Sequence, residues 1–212
     1  SPSGPERGAD GSFQNVAYLL APNGKIGRQA KVLMTPGEAG YGVKGYDAAT
    51  NAPALDVFET ILGRVGVAIC YDCEFPVLVR SLVEKGADIV LIPSCTEFVS
   101  GSNRIRTGAL ARALENGIAT VVSQTIGAAP FTPVADMSTG LAAVYVPSEH
   151  GLSDDGVVAE GERDQPGFVY AEIDIAHLRR IRLEGEMRNN LDWSRQPGVQ
   201  SVAHNAGLVD LR

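Results

Sequence analysis

The sequence predicts an α/β protein, and three observations support this class. Apolar, β-branched runs of strand length alternate with helical patterns through the middle of the chain, as in parallel strands joined by helices. An Asn-Gly pair between two strand-like runs indicates a hairpin. The 212 residues are 44% hydrophobic, which is enough for one substantial core, so we expect a single domain over 1–212.

The first predicted elements form an antiparallel pair. Strand-like runs at 13–21 and 27–32 flank the turn Pro22-Asn23-Gly24, and Asn-Gly is a strong short-range hairpin signal. A glycine-rich loop over 35–53 then leads to a short strand near 55–58.

The middle of the chain predicts two βαβ units. The first is a buried strand at 64–69, a helix at 76–86 that begins with Pro76 and ends at Gly86, and a strand at 88–93. The second adds a helix at about 103–116, closed by Asn116-Gly117, and a strand at 118–123.

The remaining chain predicts fewer elements. We expect strands near 141–146 and 168–173 and a short helix near 175–183. The two ends are polar. We interpret 1–12 as a segment without a strand and about 184–212 as a C-terminal tail.

Charge, hydropathy and cysteine content limit the kinds of partner and the cellular compartment that we expect. The formal net charge of −7 and the absence of a basic cluster argue against a nucleic-acid partner. No apolar run approaches the ~20 residues of a membrane span, and 1–12 does not resemble a signal peptide, so we expect no membrane partner. Three cysteines, an odd number at low density, fit a reducing compartment, and we expect a cytoplasmic protein.

Cys70 is the first candidate for chemistry. The apolar strand at 64–69 stops abruptly at this cysteine, and a polar turn leads to Pro76. Cys70 is therefore expected at the carboxyl end of a parallel strand, facing a helix N-terminus, where open sheets bind ligands and where the thiolate is favoured. The alternative is that Cys70 is one more small, buried apolar residue.

Two other cysteine functions stay open. Cys70 and Cys73 form a C-x-x-C pair, which also occurs in thiol-disulfide exchange proteins, although the carboxylate of Asp72 between them disfavours a redox thiolate. A zinc site from Cys70, Cys73 and Cys95 would need a fourth ligand. The histidines fall late in the chain without paired spacing, at His150, His177 and His204.

Lys31, at the end of the second hairpin strand, is the candidate partner of Cys70, and here the sequence resembles the nitrilase superfamily of carbon-nitrogen hydrolases in its amidohydrolase-like branch. The motifs that carry the resemblance occur in the family's order: Asn23-Gly24-Lys25 with Gly27-Arg28 and Lys31, Cys70-Tyr71-Asp72 with Phe75-Pro76, Pro93-Ser94-Cys95-Thr96-Glu97, Arg112-Ala113-Leu114-Glu115-Asn116, and the segment 174–180. They cover most of the chain between 13 and about 182.

The resemblance implies an α-β-β-α sandwich that pairs sheet to sheet as a homodimer or larger homo-oligomer. It also implies a glutamate-lysine-cysteine catalytic set. In this set the Cys70 thiolate attacks a small amide-type substrate and forms a thioester, while Lys31 and the backbone N–H of Tyr71 stabilise the oxyanion. Lys31 is also expected to lower the pKa of Cys70. No metal or organic cofactor is implied.

This sequence departs from the family at the glutamate that serves as general base. The family carries that glutamate upstream of the hairpin, and Glu6, in a proline- and glycine-rich segment, does not match it. We therefore expect the N-terminal strand-helix units to be missing from this sequence. A non-catalytic or truncated relative that acts as an assembly or binding module stays open as an alternative to an amidase-like hydrolase.

Further site residues follow from the resemblance. Glu38, seven residues after Lys31, matches a second glutamate near the family's active site, and we expect it to orient Lys31 or the attacking water. Cys95 and Glu97 follow the strand at 88–93, at the same sheet edge as Cys70, and are expected to bind substrate. Glu115 is expected to make structural hydrogen bonds.

Overall fold

The protein contains two main sheets in the computed structural model, which describes residues 3–45, 55–131 and 136–196. The smaller sheet is antiparallel, with three strands in the order β1 (Ser3–Arg7), β2 (Phe13–Leu20) and β3 (Ile26–Ala30). The turn between β2 and β3 contains Gly24 at φ +82°, a backbone conformation that favours glycine. The predicted hairpin is therefore confirmed.

The interpretation of residues 1–12 as a segment without a strand is wrong. Ser3–Arg7 pairs in register with β2, although it lacks the apolar alternation that identifies a strand in sequence. Cross-strand polar contacts take the place of that pattern: Glu6 accepts hydrogen bonds from Arg28 Nη2 at 2.8 Å and from the Tyr18 hydroxyl.

The larger sheet has six strands in the order β11-β10-β7-β6-β5-β4, once the strands are numbered along the chain as β4 (Val57–Thr60), β5 (Gly63–Val67), β6 (Ile89–Ser94), β7 (Ala119–Gln124), β8 (Gly127–Ala128), β9 (Met137–Ser138), β10 (Ala142–Tyr145) and β11 (Val157–Glu160). The central strands β5, β6 and β7 are parallel, and the outer strands pair antiparallel. β8 and β9 form a separate two-stranded ribbon.

In the described part of the chain, five α-helices connect or cover the strands: α1 (Pro36–Gly40), α2 (Pro76–Glu84), α3 (Val99–Asn116), α4 (Ile175–Glu184) and α5 (Asn189–Asp192). Short 3-10 helices occupy Cys70–Glu74 and Trp193–Arg195. α2 begins at Pro76 and α3 ends before the left-handed Gly117, so both predicted βαβ units are confirmed. Within the described ranges, none of the helices is both long and apolar enough to cross a membrane.

The core lies on both faces of the larger sheet. α2 and α3 cover one face, where Leu82 and Ile105 join a cluster with Val90 and Ile92 of β6. The ideal Cβ of an alanine at Gly66 would lie 3.0 Å from a Leu82 methyl group, so glycine lets α2 approach β5 closely.

The smaller sheet and α4 share the opposite face. Ala17 of β2 packs on Val67 and Ile69, and Leu178 of α4 packs on Ala119 and Val146. Helices therefore lie on both sides of the six-stranded sheet, and the second sheet lies beside α4. This arrangement confirms the predicted α/β class.

The predicted strand at 168–173 is wrong. This segment is irregular, and Phe168 and Tyr170 are 87% and 83% exposed. The edge of the sheet beside β10 is occupied instead by β11, whose four residues alternate between partial burial and exposure. An alternation of apolar residues is not enough to form a strand where another segment already pairs with the edge.

A buried carboxylate attaches α4 to the sheet. Asp88, just before β6, accepts hydrogen bonds from Arg179 Nε at 3.0 Å and Nη2 at 2.6 Å, and from Arg182 Nη2 at 3.3 Å. Burial raises the pKa of Asp88, but the Arg179 bonds, the Arg64 backbone N–H and the two charges outweigh it, so the pKa lies below its usual value.

A second buried carboxylate joins the two sheets. Asp72 is 3% exposed and accepts backbone hydrogen bonds from Val32 at 3.2 Å, Leu33 at 2.8 Å and Ile69 at 3.2 Å. The first two donors follow β3, and the third follows β5. Burial raises the pKa of Asp72 to about 6, against the lowering effect of these N–H groups and of Lys31.

Asp72 is predicted to make stability fall as the pH rises. Its folded pKa of about 6 exceeds the ordinary 3.8, so its contribution is fully present below about pH 4 and is lost as the pH rises through 6. The difference in unfolding free energy between the wild type and Asp72→Asn should fall by about 3 kcal/mol over this range. Urea unfolding from pH 4 to pH 7 measures it.

Asp88→Asn is the matched control. The folded pKa of Asp88 is lowered, so its stabilising contribution is present above its unfolded pKa and is lost as the pH falls. The difference between the wild type and Asp88→Asn should therefore stay level above pH 5 and shrink below it. Parallel pH trends for the two variants would contradict the assignment.

Candidate active site

Cys70 lies where the chain leaves β5 and begins the 3-10 helix Cys70–Glu74. Its φ is +51°, in the left-handed region, and among the described residues only Asp164 shares this property without being a glycine. Such a conformation costs on the order of 1–2 kcal/mol and persists only where surrounding contacts impose it. Strained residues of this kind cluster at functional sites.

The Cys70 thiol is partly buried, and its Sγ lies 3.7 Å from the carbonyl oxygen of Cys95. Burial raises the pKa of Cys70, and the charge of Glu38 acts in the same direction. The charge of Lys31 and a backbone hydrogen bond of Cys95 act in the opposite direction, but the net pKa lies above its ordinary value. The resting group at neutral pH is therefore a thiol.

The expectation that Lys31 lowers the pKa of Cys70 is confirmed, but the expectation of a resting thiolate is wrong. Lys31 does act in the expected direction, but it does not overcome burial. The α2 helix begins six residues further on, at Pro76, and Cys70 instead belongs to the short 3-10 helix. The dipole of a helix weakens beyond its first turn.

Lys31 follows β3 directly and is 4% exposed. Its backbone N–H donates to the carbonyl of Asn15 at 2.8 Å, which extends the pairing of β3 with β2 by one residue. Its Nζ donates to Glu38 Oε2 in an ion pair. Lys31 is thus a buried cation with its counter-ion in contact, as a buried charge requires.

Glu38 is held by four donors. Oε2 accepts from Lys31, from the Thr35 N–H at 3.0 Å and from the Thr35 hydroxyl at 3.0 Å, and Oε1 accepts from Asn15 Nδ2 at 3.1 Å. Burial raises the pKa of Glu38, but the bonds from Lys31, Thr35 and Asn15 and the charge of Lys31 lower it below the usual value. Glu38 is therefore an ionised, fixed carboxylate.

Two of these partners were missed in the sequence analysis. Thr35-Pro36-Gly37-Glu38 forms a capping box with proline at the first helical position, and this pattern is legible in the sequence. Asn15 carries no such signal, because nothing in its neighbourhood predicts a partner 23 residues away.

Asp72 brings these groups together. Its carboxylate binds the N–H groups of Val32 and Leu33, just after Lys31, and of Ile69, just before Cys70. The lysine and the cysteine belong to different sheets, and this one side chain fixes their relative position. The sequence places Asp72 in the Cys70-Tyr71-Asp72 motif and beside a possible redox thiol, but it does not predict this connecting role.

The turn after β6 forms the other side of the Cys70 surroundings. Cys95 is exposed, with its Sγ 3.4 Å from the Ser138 hydroxyl, and its carbonyl faces Cys70. Glu97 is exposed two residues further along. The Tyr71 ring packs edge-on against Phe75 with 4.8 Å between the ring centres. The structure therefore brings Cys70, Lys31, Glu38 and the Cys95 backbone together.

Cys73 is a core residue. It is fully buried within the cluster beneath α3, and burial raises its pKa far above the ordinary range. A Cys70–Cys73 redox pair is not favoured, because Cys73 is inaccessible and its thiol is held protonated. The Cys73 carbonyl accepts a hydrogen bond from the buried Arg112 at 3.3 Å, and Glu115 accepts one from the same guanidinium at 3.0 Å.

Within residues 3–45, 55–131 and 136–196, no group of three or more histidine, cysteine, aspartate or glutamate side chains is arranged to hold a metal ion. The cysteines of the possible zinc site also differ in accessibility, since Cys73 is buried and Cys95 is exposed.

Known proteins are similar to this chain in sequence. The chain is 36% identical over 187 residues to the probable hydrolase YhcX of Bacillus subtilis, covering 88% of this chain and 35% of that protein. It is 30% identical over 193 residues to an (R)-stereoselective amidase of Pseudomonas sp., covering 88% and 66%. The chain therefore spans between a third and two thirds of the length of these relatives.

A solved structure shares the fold. An amidase from Nesterenkonia sp. AN1, determined after Michael addition of acrylamide at its active site cysteine, matches with a TM-score of 0.64 and 20% identity, covering 92% of this chain and 68% of that one. The family model for carbon-nitrogen hydrolases matches residues 2–183. The chain therefore belongs to the carbon-nitrogen hydrolase family.

Proposed function

We propose that this chain carries the nucleophile and the oxyanion-binding lysine of an amidase-like hydrolase that cleaves non-peptide carbon-nitrogen bonds. The observation that carries the proposal is the position of Cys70. It is a strained cysteine at the carboxyl end of β5, within electrostatic reach of the buried Lys31–Glu38 ion pair. Amidases among the relatives support the reaction class.

The first step is attack on the amide carbon. A general base takes the proton of the Cys70 thiol, the sulfur electron pair forms a bond to the carbonyl carbon, and the C=O π electrons move to oxygen. An ammonium carries three N–H donors, so Lys31 can bind Glu38 and also donate to the oxyanion. The backbone N–H of Tyr71 is the second proposed donor.

The second step breaks the carbon-nitrogen bond. The oxyanion re-forms the carbonyl, the leaving nitrogen takes a proton and departs as ammonia or an amine, and a thioester remains on Cys70. A base-activated water then attacks the thioester, and a carboxylic acid leaves as the thiol is restored. No redox change occurs in either step.

Glu38 is proposed to position Lys31 and not to act as the base. Its oxygens already accept four hydrogen bonds, and its lowered pKa makes it a weak proton acceptor. Because the Cys70 thiol has a raised pKa, the proposed reaction requires a base other than Glu38. Lys31 would lose its orientation if Glu38 were neutral.

Substrate contacts and cellular context complete the proposal. We infer that the Cys95–Glu97 turn contacts the acyl part of a small amide, since it lies beside Cys70 at the sheet edge. A homodimer or larger oligomer is also proposed on the family resemblance, a single catalytic domain on the length and composition of the chain, and a cytoplasmic location on its low cysteine content.

Acrylamide is predicted to add to Cys70 in preference to Cys73 and Cys95. The reagent resembles a small amide, and Cys70 is the thiol within reach of Lys31. Denaturing mass spectrometry with peptide mapping measures the adduct at each cysteine. With small aliphatic amides, the same method should detect an acyl group on Cys70, and Cys70→Ala should lower ammonia release by about 10³-fold or more.

Cys73→Ala is the control, since a redox function would require Cys73 and hydrolysis would not. Both variants should keep the wild-type circular dichroism spectrum. Preferential labelling of Cys95, or a folded chain that neither labels at Cys70 nor releases ammonia, would contradict the proposal and support a non-catalytic relative.

The Lys31–Glu38 pair is predicted to move the ionisation of Cys70 in opposite directions. Lys31 lowers and Glu38 raises the pKa of the thiol. The pH midpoint of Cys70 alkylation by iodoacetamide should therefore rise in Lys31→Met and fall in Glu38→Gln, and in a catalytically active protein both changes should slow turnover about 10²-fold. Peptide mapping across pH 6 to 10 gives the midpoints.

Glu59→Gln provides the comparison. Glu59 also forms an ion pair, with Arg64 at 2.9 Å, but on the exposed surface of β4. Its substitution should leave the Cys70 midpoint unchanged. Shifts of the same sign in Lys31→Met and Glu38→Gln would show that the pair does not act on Cys70 as assigned.

A further inference from the structure

We propose that Arg163 and Asp164 position the Cys95 turn against Cys70, and this inference rests on the proposed function. Neither residue belongs to a motif of the sequence analysis, and both lie in the irregular segment after β11. The Asp164 side chain bonds Thr139 and Gly140, which lie beside the turn that joins β6 to α3, and the Arg163 side chain bonds the first turns of α3. They act through other residues, so they are positioning residues.

Asp164 makes the first connection. Its φ of +60° places it in the left-handed region that it shares with Cys70. In this conformation Oδ1 accepts the Gly140 N–H at 2.9 Å, Oδ2 accepts the Thr139 hydroxyl at 3.0 Å, and the Asp164 N–H donates to the Gly140 carbonyl at 2.9 Å. Three bonds to two adjacent residues fix the turn that follows β9.

Thr139 transmits this constraint to the Cys95 turn. The Thr139 N–H donates to the Thr96 carbonyl at 2.9 Å, and the Thr96 hydroxyl donates back to the Thr139 carbonyl at 2.8 Å. Thr96 is buried and directly follows Cys95, whose carbonyl lies 3.7 Å from the Cys70 Sγ. Three residues therefore connect Asp164 to the thiol.

Arg163 fixes the other end of the same turn. Its Nη1 donates to the Ser102 hydroxyl and its Nη2 donates to Asn103 Oδ1 at 2.8 Å, both in the first turns of α3. Ser102 is buried and donates in turn to Gln124 Oε1 at 2.7 Å. The segment between β6 and α3 is thus held at both ends by two consecutive residues.

This arrangement explains the left-handed backbone of the exposed residue Asp164. Residues 95–98 lie beyond the last residue of β6 and are outside its hydrogen-bonded ladder. A carboxylate that meets both Thr139 and Gly140 requires the left-handed turn at Asp164. Without the bonds from Asp164 to these two residues, the Cys95 carbonyl would lose its fixed position beside the Cys70 thiol.

Asp164→Gly tests the inference, because glycine keeps the left-handed backbone and removes the carboxylate. The pH midpoint of Cys70 alkylation should rise, since the backbone hydrogen bond of Cys95 lowers the pKa of Cys70 and is lost when the turn moves. Below the midpoint, the alkylation rate at Cys70 should fall about fivefold, as expected for one lost hydrogen bond. Asp164→Asn should restore the wild-type midpoint, because its amide can still accept from Gly140 and donate to Thr139.

Asp155→Gly is the matched control. Asp155 is also an exposed aspartate that accepts a backbone N–H and a hydroxyl, from Val157 at 3.0 Å and Ser153 at 2.8 Å, but its partners lie away from the Cys95 turn. Asp155→Gly should lower the midpoint of urea unfolding about as much as Asp164→Gly does. It should leave the pH midpoint of Cys70 alkylation unchanged. The Cys70 midpoint is the deciding readout, since a purely structural residue would not move it.

Two outcomes would overturn a claim, and they are distinguishable. If Lys31→Met moves the Cys70 midpoint and Asp164→Gly does not, the positioning role fails and the proposed function stands. If neither variant moves it, the proposed function fails and the inference fails with it.

Discussion

The buried carboxylate of Asp72 is the constraint on which the site depends. The cysteine follows a strand of the six-stranded sheet, and the lysine follows a strand of the three-stranded sheet, so ordinary sheet pairing does not set the distance between them. Asp72 does so through backbone N–H groups on both sides. Backbone donors cannot change rotamer, which makes this a rigid connection between the segments that carry Lys31 and Cys70.

The electrostatics of the site follow from that connection. The buried ion pair of Lys31 and Glu38 presents a cation to the region above Cys70, while burial keeps the thiol protonated. The site is therefore prepared for charge that develops during the reaction and not for a permanent thiolate. Hydrogen bonds through Thr139, Thr96 and Cys95 connect Asp164 to Cys70. The two non-glycine residues with left-handed backbone among the described residues therefore lie at the two ends of this path, and both contact the surroundings of the Cys95 turn.

Local signals in the sequence predicted much of this architecture. Asn23-Gly24, Pro76 and Gly117 mark turns and helix ends whose backbone chemistry is local, and the apolar parallel strands are legible for the same reason. Strand β1 and residues 168–173 were misjudged because pairing with a neighbour, and not local pattern, decides an edge. The roles of Asn15 and Asp72 depend on contacts 23 to 40 residues away, which periodicity does not reveal.

Hydrogen exchange at the three amides bound to Asp72 tests the account most directly. The N–H groups of Val32, Leu33 and Ile69 should exchange with one common protection factor, and all three should lose protection together in Asp72→Asn. The Ala68 N–H, which donates to Leu91 at 2.9 Å, should keep its protection. Rapid exchange at Val32 and Leu33 in the wild type, beside a protected Ile69, would contradict the claim that Asp72 joins the lysine and the cysteine.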